Sequence, residues 1–273
     1  MLEKITYKNH LNESVDFGEN GLFLNNNDLR SYTWNYTANN NKIAYFSRDI
    51  QEKTLPVIVY CASRDEGYSI VNRLMEVADK DVMTSQPGKI EANGYYLTCY
   101  LFESIKGSYD LDKGLFYADL KVVTDSPAWI KETATSFNPS SGGSGQNLDY
   151  PFDFPYDFAS PSASNTLINY GFADTDFKLI IYGEVTDPSV TIAGHIYSVT
   201  GHVDADEYLV IDSRTKTITK VEGDGDQVNW FQYRNKLNYV FQKIPSGENN
   251  VLWDGTFSFN VTLYEERSEP KWI

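Results

Sequence analysis

Three histidines, two cysteines and two clusters of carboxylates are the side chains of this 273-residue chain whose types could do chemistry. His10 stands alone. His195 and His202 flank the segment GHIYSVTGHV at a spacing that fits no helical zinc pair, and no His-Glu-x-x-His occurs. Imidazoles placed this way read as satisfied or exposed side chains and not as ligands. Cys61 (PVIVYCAS) and Cys99 (YYLTCYLFE) lie in apolar contexts and read as buried, reduced thiols. Asp204, Asp206 and Glu207, then Glu222, Asp224 and Asp226, could offer oxygen ligands to calcium. Neither run has an EF-hand pattern, and solvated turn tips account for both. Gly142-Gly-Ser-Gly145 lacks the glycine that a nucleophile elbow needs two residues after its serine, because Gln146 stands there. Gly223-Asp-Gly225 lacks the third glycine of a dinucleotide fingerprint. A glycosidase pair of carboxylates is defined by spatial separation, so the sequence singles none out. Trp230, Phe231 and Tyr233 in QVNWFQYRNK are candidates for a sugar-stacking platform; packing of a short connector is the plainer explanation. No catalytic, cofactor-binding or metal-ligating residue is assigned, and no enzyme activity or cofactor is expected.

Composition narrows the remaining classes. With 23 basic and 38 acidic residues the net charge is −15, which opposes binding to nucleic-acid phosphates or to an anionic membrane. No apolar run approaches the roughly 18 residues of a membrane span. The N-terminal MLEKITYKNHLNES has no hydrophobic signal core, so synthesis and folding in the cytoplasm are expected. Three matches to the glycosylation sequon, at Asn12, Asn35 and Asn260, carry no meaning without secretion. The 20 Tyr, 15 Phe and 5 Trp bring the aromatic share to 15%. Aromatic residues suit pleated, half-buried surfaces, and Tyr in particular suits interfaces.

The elements that must position these residues are mostly strands. KIAYFS (42–47), PVIVYC (56–61), YYLTCYLFE (95–103) and LFYADLKVVT (115–124) are β-branched and aromatic runs bounded by turn residues. Between them, Ile70, Val71, Leu74, Met75, Val77 and Ala78 recur at helical spacing, with Ser63 and Glu66 as a capping box. Gly67 weakens the first turn of that helix. Residues 138–164 are rich in Gly, Pro and Ser and read as a flexible connection, with Tyr150, Phe152, Phe154, Tyr156 and Phe158 interleaved. Beyond it, FKLIIYGE, SVTIAG, EYLVIDS, KTITKV and TFSFNVTLYEE have the short, regular spacing of a sandwich. The reading is therefore a mainly β protein with domains at 1–137 and 165–273 joined by 138–164, the larger share of the acid excess falling after residue 140.

The order of these segments resembles the distal tail proteins (Dit) of long-tailed phages infecting Gram-positive bacteria. In the first half, VADKDV is followed by PGKIEANGYYLTCYLFESIKGSY and then Asp125-Ser-Pro-Ala-Trp129. The Gly/Ser and aromatic connection follows, with Tyr150-Pro-Phe-Asp-Phe154. IYGEVTDPSVTIAGHIYSVTG, EYLVIDSRTKTITK and FQKIPSGENNVLWDGTFSFNVTLYEERSEPKW complete the pattern. The resemblance implies an N-terminal β-barrel or sandwich-like domain with one amphipathic helix, assembling into a hexameric ring, and a C-terminal galectin-like β-sandwich outside it. It implies a structural hub of the tail tip. Its partners would be the tail tube protein and tape-measure protein on one side and a tail-associated spike or lysin on the other, with a receptor-binding protein at the periphery. DNA would pass through without specific binding. The competing expectations are a carbohydrate-binding adhesion module and a glycan-active enzyme.

Overall fold

The computed structural model describes residues 4–110, 114–139 and 165–272. The Gly142–Gly145 motif and the aromatics from Tyr150 to Phe158 lie outside the described residues. The protein is mainly β, with 53% strand and 10% helix among the described residues, and it divides into two compact units. Unit 1 comprises residues 1–131 and 266–273, and unit 2 comprises residues 132–265. The first division falls six residues before the boundary read from sequence, and the C-terminal tail belongs to unit 1.

Unit 1 contains β1 (Ile5–Lys8), β2 (Ser14–Phe17), β3 (Leu22–Leu24), β4 (Asn35–Asn39), β5 (Lys42–Ser47) and β6 (Gln51–Tyr60). It continues with α1 (Arg64–Thr84), β7 (Gly88–Ala92), β8 (Tyr95–Asp110) and β9 (Leu115–Thr124). Strand β8 organises the unit. Its first five residues pair with β7, which pairs with β1 and then β2; from Tyr100 onward it pairs with β9, which pairs with β6 and then β3. Irregularities in the β8–β9 register between Leu101 and Glu103 and between Lys106 and Tyr109 bend the strand. The core collects alternating residues of both arms, among them Tyr7, Leu55, Val57, Ile90, Leu97 and Leu120.

Helix α1 packs on this core through Leu74, Val77 and Ala78, with Ile70, Val71 and Met75 half-buried beside them. Ser63 accepts from the Glu66 amide at 3.2 Å, and the Glu66 carboxylate accepts from the Ala62 amide at 2.7 Å. Gly67 has a packing reason: a Cβ there would lie 2.8 Å from Cys61 Sγ. Both cysteines are buried and free, and burial pushes the Cys99 thiol pKa up.

One polar residue of the helix faces inward. Asp81 is fully buried; it accepts from the Tyr7 hydroxyl at 2.5 Å and from the His10 amide at 2.9 Å, and lies 2.6 Å from His10 Nδ1. Burial and the adjacent carboxylate raise the Tyr7 phenol pKa, which keeps it a donor. This triad ties the last turns of α1 to β1.

Strand β10 (Trp129–Phe137) carries the chain out of unit 1. Unit 2 holds β11 (Thr166–Asn169), β12 (Phe177–Tyr182), β13 (Val185–Thr186), β14 (Ser189–Ile192), β15 (His195–Ser198) and β16 (His202–Val203). It ends with β17 (Tyr208–Asp212), β18 (Thr217–Val221), β19 (Gln227–Asn229), β20 (Gly247–Leu252) and β21 (Phe259–Arg267), whose last residues return to unit 1. One sheet runs β19-β18-β17-β12-β21 and the other β11-β20-β14-β15. Their inward residues, including Phe177, Leu179, Ile211, Val190, Ile192 and Val251, form one core, so unit 2 is a β-sandwich.

Three hairpins close on two-residue turns with both φ values positive: Asn40-Asn41, Asn93-Gly94 and Ala193-Gly194. That is the type I′ geometry whose twist matches paired strands.

Replacing Tyr7 by Phe removes the donor to Asp81 Oδ2 at constant shape. We expect a loss of about 1–3 kcal/mol in urea unfolding; an unchanged midpoint would show that the triad contributes nothing to anchoring α1.

Candidate functional site

The structure brings the two carboxylate runs of unit 2 together around Lys220. His195 Nε2 lies 3.0 Å from the Tyr239 carbonyl oxygen. His202 lies 2.8 Å from Thr186 Oγ1 through Nδ1 and 3.1 Å from Asp204 Oδ1 through Nε2. Lys220 donates to both oxygens of Glu207 at 2.7 Å, and Glu207 also accepts from the Asp204 amide. Glu222 lies 3.7 Å from the same ammonium, and Asp224 accepts from the Asp226 amide inside a turn. Among the described residues, no three His, Cys, Asp or Glu side chains are grouped to hold a metal ion.

The aromatic candidates of unit 2 are also engaged. Trp230 is buried, against Gly201 and with the Lys220 ammonium 5.4 Å from its ring centre. Phe231 stacks on Phe241 at 6.0 Å, and the Arg234 guanidinium sits 4.0 Å from its ring centre. Tyr233 tilts against Trp230 at 5.1 Å. The three side chains do not make one open platform.

The surface that stands out is in unit 1. Among the described residues, strands β4 and β5 form a two-stranded sheet of their own. Nearly every residue is exposed: Tyr36 is 65% accessible, Tyr45 59%, Ile43 57% and Phe46 56%. Tyr36 opposes Phe46 and Thr37 opposes Tyr45, so aromatic residues occupy both faces. Isolated two-stranded hairpins are at best marginally stable in water.

Its root, by contrast, is tied down. Trp34 Nε1 donates to Ser268 Oγ at 3.2 Å, and the Arg48 guanidinium lies 4.0 Å from the Trp34 ring centre and 3.4 Å from the same Ser268 Oγ. Arg30 donates to the Pro270 carbonyl at 2.6 Å and lies 3.9 Å from the Trp272 ring centre. Asn93 donates to the Lys271 carbonyl at 3.0 Å. The approach to the hairpin is held by Lys53, whose ammonium donates to the Ser31 carbonyl, and by Gln51, which donates to the Thr33 carbonyl at 3.0 Å. Burial lowers the Lys53 pKa. The tail of the chain thus returns to clamp the base of an arm more than 200 residues upstream.

Shallow clefts lie nearby. One of about 270 Å³ is bordered by Leu29, Arg30, Trp129 and Trp272, and one of about 510 Å³ by Thr6, Glu91, Asn93 and Tyr96. Neither joins a nucleophile to a base.

The sequence reading found β5 but not β4, whose Asn-Tyr-Thr-Ala-Asn is short and polar. The Asn40-Asn41 turn pair is the signal that could have exposed it. Nothing local in Ser268–Trp272 announces a clamp.

Two measurements probe these contacts. Substituting Arg30 and Trp272 by Ala should speed amide exchange over residues 268–272 and at Trp34, with a stability loss of about 0.5–2 kcal/mol; unchanged exchange would refute the clamp. In unit 2, burial opposes ionisation of Glu207, but the Lys220 hydrogen bonds outweigh it and hold the pKa below 4.5. The pair therefore stabilises the fold above pH 4.5, and that contribution fades as pH falls through the lowered value. Glu207→Gln should flatten this acid limb of a melting-temperature profile, and an unchanged limb would assign the acid sensitivity elsewhere.

No family model and no curated protein matches the sequence. Solved structures do match. A chain of the phage P2 baseplate in its activated conformation with calcium aligns with a TM-score of 0.63 at 12% identity, over 99% of this chain and 100% of that one. The same baseplate with strontium gives the same values. SPP1 Dit (gp 19.1), a hub adsorption apparatus protein of a phage infecting Gram-positive bacteria, aligns with a TM-score of 0.60 at 10% identity, over 98% of this chain and 100% of that one. Over nearly its whole length the chain therefore has the fold of these phage baseplate and hub proteins.

Proposed function

We propose that this chain is a structural hub subunit of a phage tail tip, and that six copies close into a ring joining the tail tube to the host-adsorption apparatus. The observation that carries the reading is the near-complete, two-way coverage of the fold match to SPP1 Dit and the phage P2 baseplate chain. The order of sequence segments supports it independently. In this reading unit 1 forms the ring and unit 2, a galectin-like sandwich, decorates its outside. The tail tube and tape-measure proteins bind one side of the ring and a spike or lysin the other, with a receptor-binding protein at the rim. The subunit is made in the host cytoplasm and performs no catalysis.

The physical requirements of a ring agree with the composition. A closed ring needs heterologous contacts related by rotation. Exposed Tyr and Phe supply such contacts without depending on charge. The acid excess disfavours adhesion to phosphate, so a lumen bearing part of it would let DNA pass without sticking.

Negative-stain images of the purified protein across a concentration series test the proposal. Six-fold rings with a central opening are expected. A persistent monomer at every concentration, or a closed symmetry other than six, would overturn it.

A further inference from the structure

We propose that the β4–β5 hairpin is an assembly arm whose exposed aromatic faces dock on a second copy of this chain, and that the C-terminal clamp aims it. The inference rests on the ring reading and adds the surface that makes the contact.

Three observations lead there. First, the arm is fastened at the root and bare along both strand faces. Trp34, Arg48, Gln51 and Lys53 fix its base through Ser268 and the carbonyls of Thr33 and Ser31, whereas Tyr36, Ile43 and Tyr45 are exposed to solvent. A hairpin aromatic on both faces is covered only when something receives it. Second, the charge selects the receiver. Residues 31–48 contain Lys42 and Arg48 and no acidic residue, in a chain whose net charge is −15. Arg48 is engaged at the root, which leaves Lys42 at the turn, one residue before the exposed Ile43. A single exposed cation is too little for a phosphate backbone or a membrane surface, where binding scales with the number of contacts. It suits an apolar surface edged by carboxylates, which another copy supplies.

Third, unit 1 itself carries a surface of that kind. On β8 and β9 the outward residues Ile105 and Tyr117 are exposed, with Asp119 opposite Ile105 in the register. An arm and a different receiving face on the same chain make a heterologous contact, the type that closes a ring. The two open backbone edges of the hairpin add hydrogen-bonding groups that a neighbouring sheet could complete.

The test compares wild type with Tyr36→Ser/Ile43→Ser/Tyr45→Ser and with Lys42→Glu, by mass photometry and negative stain. These side chains lie outside the core, so thermal melts of the monomer should stay unchanged, which separates lost assembly from lost folding. The triple variant should need at least ten times more protein for half-assembly, and Lys42→Glu should weaken assembly most at low salt. A photoreactive phenylalanine analogue at Tyr45 should cross-link copy to copy in wild-type rings. Rings formed equally well by the triple variant, or cross-links only to another component of the particle, would overturn the arm while leaving the hub reading intact. A wild-type protein that never assembles would overturn both.

Discussion

A two-stranded sheet with aromatic residues on both faces has no core of its own, and this constraint organises unit 1. Alone such a hairpin is marginal in water, so its base has to be fastened. The fastening is visible: two arginines beside two tryptophans, a serine shared between Trp34 and Arg48, and a buried lysine on a loop carbonyl. It explains why the chain's last residues return to the first unit. Ser268 meets Trp34 and Arg48 at the root of the arm, and Pro270 and Trp272 meet Arg30 on the segment that leads to it. The rest of unit 1, with its bent β8 and its helix pinned by Asp81, is a frame that gives those contacts a fixed place.

Charge imposes the complementary constraint. At −15 per subunit, bringing copies together raises repulsion that only packed surface can offset. An arm free of acidic residues is the piece of this chain best suited to approach another copy. Unit 2 handles its carboxylates differently. Glu207 and Glu222 converge on Lys220, Asp204 on His202, and Asp176 on Lys243 and Lys216. The lysine pairs among them offset part of the sandwich's acid excess.

Much of the fold was legible because its signals are local. KIAYFS and LFYADLKVVT coincide with β5 and β9, and the capping box at Ser63 starts α1. Other features depend on partners far away in sequence. Strand β6 begins at Gln51, before the apolar run that advertised it, because β9 pairs with its full length. Nothing local singles out Asp81; only Tyr7 and His10, some 70 residues earlier, make it a buried anchor. Gly67, a weakness by propensity, is required by Cys61. Packing was the plainer explanation of the aromatic run at Trp230, and the cations over its rings became visible only with side chains in place. The arm was half visible: β5 was seen, its partner strand was too polar and short, and the clamp spans more than 200 residues.

The resemblance of segment order and the fold match point to the same fold by different routes, the first through residues and the second through coordinates at 10–12% identity. The most direct measurement of the central claim is hydrogen–deuterium exchange of residues 35–47, followed from dilute monomer to the assembled state. The account predicts fast exchange in the monomer and strong protection of these amides on assembly, while the core strands β8 and β9 stay protected throughout. Equal exchange of the hairpin in both states would contradict it.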